Sequence, residues 1–273
     1  MTTTTTTNAS LLYWNLAAYF VNVAITFGVG VGRSPTNAEL SEKYQTLVTP
    51  VGWAFAIWSL IFTLQAFWTA WPFCSSKKIS VIGYRYVWIV MAQAGWTLSF
   101  SHERIVASML FMTALASFLW ETVATLPPPA TWKEYALTHL PFTLHTGWIS
   151  AATLVNANVV LVYLGVAAPT QYSAALLSLL SLFGLAVSEV VRDHDWVIPA
   201  TLAWAAYGIH RELSSPKLSI RITFPERQIV QLQQGAAWAT MTIVALLVVR
   251  IGIRLTTRRQ PLHQSNEAAP LRE

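Results

Sequence analysis

The sequence predicts an all-α fold, a polytopic bundle of transmembrane helices, and three observations support that prediction. Of the 273 residues, 54% are hydrophobic and 11% are charged, whereas a soluble domain carries about 25% charged residues. The run from Tyr135 to Ser188 contains no Asp, Glu, Lys or Arg. Apolar segments of about 20 residues, the length that spans a bilayer, recur along the rest of the chain.

Eight segments have the length and composition of membrane helices. The first follows the Thr2–Thr7 run; no basic region precedes it and its apolar stretch is too long for a signal peptide, so we expect it to be retained. The proline run at 127–129 ends the fourth segment, because proline cannot continue a helix. Gly165 and Pro169 divide the long uncharged run into the fifth and sixth. The predicted helices are 11–32, 48–71, 84–101, 104–126, 138–163, 171–190, 195–211 and 229–252.

The seventh segment is short, and a seven-helix bundle in which this segment is re-entrant is the alternative. Residues 218–224 alternate in the manner of a short strand or an extended loop segment. The predicted organisation is a flexible N-terminal tail (1–10), a five-helix membrane core (11–163), additional transmembrane helices (164–255) and a flexible C-terminal tail (256–273).

Basic residues beside the helices predict the orientation of the chain. The net charge of +5 is spread over loops and the tail, so we interpret it as a topology signal and expect no nucleic-acid partner. Lys77, Lys78 and Arg85 follow the second helix, and basic residues between 250 and 259 flank the last. With eight helices these clusters share a side with the N-terminus, and the positive-inside tendency places both termini in the cytosol. The basic loop at 211–227 opposes this orientation, and the membrane itself is not identified.

The fifth predicted helix carries a polar and aromatic stripe. At about 3.6 residues per turn, one face presents Pro141, His145, Trp148, Ala152 and Asn156. Polar groups within a bilayer turn inward, toward partner helices or a cavity. Trp148 lies about ten residues into its segment, near mid-membrane, where an indole N–H requires a hydrogen-bond partner.

Three tryptophan motifs follow one another along the chain. Residues 50–58 read Pro-Val-Gly-Trp-Ala-Phe-Ala-Ile-Trp in the second helix, and residues 93–100 read Gln-Ala-Gly-Trp-Thr-Leu-Ser-Phe in the third. The third motif is the stripe from residue 141 to residue 156 in the fifth helix. Each motif alone is weak in a chain with thirteen tryptophans, but three in order are considerably more specific.

In this order the motifs resemble the TspO/MBR family, the tryptophan-rich sensory or translocator proteins. They are similar to its Pro-Gly-Trp-x-Phe…Trp, Asn-x-x-Trp-Ser-x-x-Phe and Pro-Tyr…Trp…Ala…Asn patterns. Three features differ from the compact members of that family. The interval from Trp53 to Trp58 is one residue shorter, and the interval from Pro141 to Trp148 is about one turn longer. Gln93 stands where the second pattern begins with Asn. With three extra hydrophobic segments, these differences indicate a longer, divergent branch, and the resemblance covers residues 11–163.

The resemblance implies a five-helix core whose aromatic-lined cavity binds porphyrins and other flat apolar molecules. Indoles can stack on a planar ring, and an amide can orient one polar edge of it. The alternative is that these faces only pack helix against helix. The resemblance assigns the ligand-binding set by position, and His145 joins it because it lies one turn before Trp148: Trp53, Phe55, Trp58, Gln93, Trp96, His145, Trp148, Ala152 and Asn156.

His145 could serve as an axial ligand to a haem iron, but a neutral, hydrogen-bonded structural role is the expected one. No metal-binding, nucleophile-elbow or phosphate-loop motif is present, so the sequence does not predict an enzyme or a metal site. We expect no required cofactor; porphyrin or haem would be bound as a ligand. The expected partners are the lipid bilayer and a small hydrophobic ligand, and a homodimer is left open.

The leading function is therefore binding of a tetrapyrrole or another flat hydrophobic ligand, for sensing, sequestration or transport. A secondary transporter of a small solute is the first alternative, although the internal symmetry common in such carriers is not evident. A membrane enzyme acting on tetrapyrroles or lipids is the second, and it would require buried acid–base pairs.

Overall fold

The computed structural model describes residues 9–74, 82–192 and 195–257, and contains helices and no β-strand within them. This confirms the predicted all-α helical membrane bundle. Three short helices lie in connections: α2 (Asn37–Lys43), α6 (Trp132–Glu134) and α10 (Leu218–Thr223). The eight long helices are α1 (Ala9–Ile25), α3 (Ile57–Cys74), α4 (Arg85–Ser101), α5 (Ile105–Thr125), α7 (Leu140–Tyr163), α8 (Ala168–Arg192), α9 (Val197–Leu213) and α11 (Glu226–Thr257).

Six of the eight, taken with adjoining turns, are long and apolar enough to cross a membrane. The chain is a multi-pass integral membrane protein. The other two, α4 and α9, have 17 residues each and are about 25 Å long, somewhat shorter than a hydrocarbon core of about 30 Å. Helix α9 is continuous, which favours eight segments over the re-entrant alternative. Of the predicted tails, 1–10 and 256–273, residues 1–8 and 258–273 lie outside the described residues. Residues 9–10 and 256–257 belong to α1 and α11 and are helical.

Side-chain contacts distinguish the two ends of the bundle. Near the start of α1, the ring of Tyr13 packs against that of Phe73 in α3, with centroids 5.5 Å apart. Near the end of α11, Arg254 lies 5.1 Å from the ring of Trp196, just before α9. We call this the terminal end, because α1 begins and α11 ends there. At the opposite end, the mouth end, Gln45 donates a hydrogen bond of 3.0 Å to Glu212 in α9.

Helix α7 lies at the centre and packs against α3, α5, α8 and α9. Every residue from 141 to 151 is buried, as suits a helix whose sides all face other helices. Gly147 allows α9 to approach closely, because a Cβ there would lie 2.8 Å from Cβ of Thr201 and 3.1 Å from the carbonyl oxygen of Ile198. The uncharged run predicted from the sequence thus joins the first five long helices to the last three.

The second predicted helix begins later than expected. Residues 46–51 are not helical; a 3-10 turn spans Gly52–Ala56, and α3 begins at Ile57. Pro50 disfavours helical backbone at the residue before it, and Oγ1 of that residue, Thr49, accepts the N–H of Thr46 over 3.1 Å.

The extended segment predicted at 218–224 is wrong, because residues Leu218–Thr223 form α10. The N–H of Phe224 donates to the carbonyl oxygen of Ile220 over 3.0 Å, and both side chains are buried. Positions four apart share one face of a helix, and two positions four apart also share one face of a strand, so the pattern could not separate the two.

Helix α2 lies between the first two predicted helices, 11–32 and 48–71, where the sequence analysis predicted no helix. Thr36 caps it: its hydroxyl accepts the N–H of Glu39 over 3.1 Å, and the Glu39 carboxylate accepts the N–H of Thr36 over 2.6 Å. This capping box follows the Thr-x-x-Glu pattern, which is visible in the sequence and could have predicted the helix.

Candidate ligand cavity

A cavity of about 470 Å³ opens at the mouth end of the bundle. Its walls come from the helical turn at Thr26–Val31 that follows α1, from α2, from the 3-10 turn and α3, and from α4 and α7. Further contributions come from α5, the end of α9 and the segment before α10. The aromatic side chains that line it are Phe27, Phe55, Trp58, Phe62, Trp96, Phe100 and Trp148.

The structure brings seven of the nine sequence-predicted residues to this cavity. They come from the 3-10 turn and from α3, α4 and α7, which lie far apart in the chain. The seven lining residues are Phe55, Trp58, Gln93, Trp96, Trp148, Ala152 and Asn156.

Trp53 is not among the residues that line the cavity. Its ring packs edge-on against Trp204 of α9, with centroids 4.9 Å apart, and against Tyr207 at 5.8 Å. The N–H of Trp204 also donates to the carbonyl oxygen of Ala54 over 3.0 Å. Because the turn has about three residues per revolution, neighbours two apart point to different sides, and Phe55 faces the cavity instead.

His145 is likewise not among the lining residues; it is fully buried. Its Nδ1 lies 3.0 Å from Nε2 of Gln65 in α3, and its ring meets that of Trp58 edge-on at 5.6 Å. The Tyr86 hydroxyl of α4 donates to Oε1 of Gln65 over 3.2 Å. These contacts join α3, α4 and α7 and give His145 the surroundings of a structural histidine.

Trp96 and Trp148 differ in the hydrogen bonding of their indoles. Nε1 of Trp96 donates to Oδ1 of Asn156 over 3.3 Å, and the Asn156 amide group in turn lies 3.4 Å from the hydroxyl of Ser108 in α5. The rings of Trp96 and Phe100 are stacked, 5.4 Å apart at an angle of 19°.

Three buried polar atoms lie on the cavity wall without a hydrogen-bond partner among the described residues. They are Nε1 of Trp148, Oε1 of Gln93 and Oγ1 of Thr97. Leaving such a group unpaired costs about 1–3 kcal/mol. Their residues line the cavity, but the atoms themselves, one N–H donor, one carbonyl acceptor and one hydroxyl, are buried in its wall. The ring of Trp148 is held edge-on by Phe55 at 5.4 Å.

Charged side chains lie at the mouth of the cavity, and the sequence analysis did not single them out. Glu42 of α2 pairs with Lys217, which precedes α10, over 2.8 Å, and Gln45 pairs with Glu212. These pairs span 175 and 167 positions, so no local pattern in the sequence predicts them.

On its other side, α2 is tied to the turn between α4 and α5. The Lys43 ammonium and the Tyr44 hydroxyl both donate to the Glu103 carboxylate, and the Lys43 hydrogen bond, with that from Tyr44, holds the pKa of Glu103 below its usual range. Helix α2 is thus attached on both sides of the cavity mouth.

Within the described residues, no group of three or more His, Cys, Asp or Glu side chains is placed to hold a metal ion. The titratable side chains on the cavity wall are Glu42, Glu212 and Lys217. The inner wall is therefore aromatic with a few neutral polar groups, an arrangement suited to holding an apolar molecule by one polar edge.

A family model described as TSPO-like protein matches residues 10–250 of the chain. The match includes the segment 11–163 that contains the three tryptophan motifs, and it extends through α8 and α9 into α11. Neither the curated proteins nor the solved structures include a match to this chain.

Proposed function

Because the chain belongs to the TSPO-like protein family, we propose that it binds a tetrapyrrole or another flat hydrophobic ligand in the cavity at the mouth end. The observation that carries this proposal is the set of three unpaired polar atoms on an aromatic wall, contributed by Gln93, Thr97 and Trp148. The ligand serves sensing, sequestration or transport across the bilayer.

The dimensions and chemistry of the cavity support binding. Ligand cavities typically measure about 300–1,000 Å³ and combine apolar walls with a few polar groups, and this one, at about 470 Å³, lies within that range. Nε2 of His145, Oδ1 of Asn15 and Nδ2 of Asn22 are also buried without a partner among the described residues, away from the cavity lining. The support for binding is therefore that three such residues lie together in one aromatic wall.

Porphyrin or haem is proposed as a ligand and not as a cofactor. His145 lies behind Trp58 and is engaged by Gln65, so we propose no axial bond from this residue to a haem iron. The titratable groups of the cavity lie at its mouth, which supports binding over acid–base catalysis, and we propose that the protein is not an enzyme.

We propose that both termini lie in the cytosol. The first helix begins and the last helix ends at the same end of the bundle, as the contacts of Tyr13 and Arg254 indicate. Arg85 and Arg254 lie at that end, which supports this orientation through the positive-inside tendency. The basic loop at 211–227, at the mouth end, opposes it.

The test is a titration of the purified protein with metal-free protoporphyrin, followed by tryptophan fluorescence and visible absorbance. We expect saturable quenching, and we expect the Trp96→Ala/Trp148→Ala double variant to weaken binding by at least about tenfold, since stacking on an aromatic side chain contributes about 1–3 kcal/mol.

The matched control is Trp53→Ala, which removes a tryptophan whose ring packs against α9 outside the cavity lining. The dissociation constant of protoporphyrin from this variant should stay within about twofold of the wild-type value, because Trp53 does not line the cavity. Saturable quenching that survives the loss of both Trp96 and Trp148 would place the ligand elsewhere and overturn the proposal.

A further inference from the structure

The cavity has a charged mouth and a neutral interior. Three charged side chains line it within the described part of the chain: Glu42 of α2, Glu212 of α9 and Lys217. Lys217 is paired with Glu42 over 2.8 Å, whereas Glu212 accepts a hydrogen bond from the neutral amide of Gln45. Of the two carboxylates, only Glu42 therefore pairs with a cation among the lining residues.

The interior offers no charge with which a ligand could pair. Its polar groups, among the described residues, are neutral and include the amides of Gln93 and Asn156, the hydroxyl of Thr97 and the indole N–H of Trp148. Because burying an unpaired charge in such a wall is costly, a charged group on a bound ligand must lie at the mouth. There it meets Glu42, which is largely exposed to solvent, and Glu212, which is buried, so each contact contributes modestly.

We propose that this mouth selects the ligand by charge, admitting a flat hydrophobic molecule with a cationic group at its edge in preference to the same molecule with carboxylates. A cationic group can share the Glu42 carboxylate with Lys217 or pair with Glu212. A carboxylate at the same place faces two like charges and only one ammonium group, which Glu42 already engages.

The proposal rests on the proposed ligand function and narrows the class of ligand. It also gives a role to α9 and the segment that follows it, because Glu212 lies in α9 and Lys217 lies between α9 and α10. The aromatic wall belongs chiefly to residues 27–159, whereas two of the three charges at the mouth come from residues beyond 163. The first part of the chain therefore supplies the aromatic wall, whereas the charges at the mouth come from both parts.

The experiment compares metal-free porphyrins that share one macrocycle. Protoporphyrin carries two carboxylates, its dimethyl ester is neutral, and its amide with a diamine is cationic. Dissociation constants are measured by tryptophan quenching in one neutral detergent. We expect the cationic form to bind about fivefold more tightly than the ester and the ester about fivefold more tightly than protoporphyrin, as partly exposed charge contacts would give.

The three porphyrins partition differently into detergent, so the ratio of their affinities is compared between the wild-type protein and variants. Each porphyrin partitions equally in the two samples, and the effect of the detergent therefore cancels. Glu42→Gln and Glu212→Gln should each reduce the ratio of cationic to carboxylate affinity about fivefold, and Lys217→Met should increase it. Glu42 is largely exposed, so its variant should fold normally even if Glu212→Gln does not. The matched control is Glu121→Gln, whose carboxylate pairs with Arg85 at the terminal end and should leave the ratio unchanged.

Two results separate this proposal from the one on which it rests. Saturable binding of all three porphyrins, with a ratio that Glu42→Gln and Glu212→Gln do not move, would overturn selection by charge and leave the ligand function standing. Absence of saturable binding by any of the three to the wild-type protein would overturn the ligand function, and the charge selection with it.

Discussion

Trp96 of α4 donates its indole N–H to Oδ1 of Asn156 in α7 over 3.3 Å. Trp148, eight residues before Asn156 on the same helix, has no such partner among the described residues. The two tryptophans of the cavity therefore have different roles. The fold orients Trp96 through its hydrogen bond, whereas the N–H of Trp148 is buried and unpaired among the described residues.

Replacing each of these tryptophans by phenylalanine should separate the two roles. Trp148→Phe keeps an aromatic ring and removes an N–H that pairs with no described residue, so we expect weaker ligand binding, by about 1 kcal/mol, with little change in the unfolding midpoint. Trp96→Phe deprives Asn156 of its donor and should lower the free energy of unfolding by about 1 kcal/mol. Fluorescence titration measures the ligand affinity, and thermal unfolding in detergent measures the stability. If Trp148→Phe and the wild-type protein bound the ligand equally well, the proposed role of the Trp148 N–H in binding would be contradicted.

His145→Ala should act through the fold. It leaves the buried amide of Gln65 without its partner at 3.0 Å, which should cost about 1–3 kcal/mol of stability. Haem and protoporphyrin affinities should fall by similar factors, and the Soret position of bound haem should stay unchanged. A Soret shift with protoporphyrin affinity intact would instead identify His145 as an iron ligand. His102→Ala, an exposed histidine at the mouth end, is the control.

Gly208→Ala should loosen the contact between α9 and the 3-10 turn. An added Cβ would lie 2.9 Å from Cβ of Pro50 and 3.1 Å from Cβ of Ala54, and the carbonyl oxygen of Gly208 accepts the N–H of Val51 over 3.1 Å. Overpacking of this kind costs about 1–3 kcal/mol, measurable as a lower unfolding midpoint. Gly184→Ala is the matched control, since a Cβ there meets nothing within 4 Å, and it should be neutral or slightly stabilising.

Asp195 should make the stability of the α8–α9 connection depend on pH. Burial raises the pKa of this carboxyl above its usual range, despite hydrogen bonds from Tyr135 and from the N–H groups of Val197 and Ile198. A carboxyl with a raised pKa favours the folded state when protonated, so its contribution is fully present below its unfolded pKa and decreases as pH rises through the folded value.

The unfolding midpoint of the wild-type protein should therefore fall as the pH rises above about 4, and it should fall less in Asp195→Asn, which does not titrate. Its carbonyl oxygen can still accept the N–H of Val197. Asp195→Ala removes the acceptor at the start of α9 and should cost about 1 kcal/mol below about pH 4. That cost should decrease as the pH rises, because the wild-type contribution declines. The sign of the pKa shift would be contradicted if the unfolding midpoint of the wild-type protein rose as the pH increased above about 4 and that of Asp195→Asn did not.

The tryptophan motifs predicted much of the aromatic wall but not its whole membership. Gln93 and Trp96 occupy one face of α4, and Trp148 and Asn156 one face of α7, because helical periodicity determines which side chains point together. The same reasoning fails for Trp53, because it lies in a 3-10 turn, where side-chain directions repeat about every three residues and not every 3.6. It also fails for His145, which shares a face with Trp148 but lies one turn nearer the terminal end, where α3 and α4 enclose it.

By itself, the sequence determined the class of fold, the eight long helices and the faces on which most cavity residues lie, because hydrophobicity, absence of charge and helical periodicity are local properties. Only the tertiary structure decided that Trp53 packs against α9, that Trp148 keeps an unpaired N–H, and that Glu42 meets Lys217 at the mouth. These relationships join residues far apart in the chain, and they depend on how closely helices approach at positions such as Gly147 and Gly208.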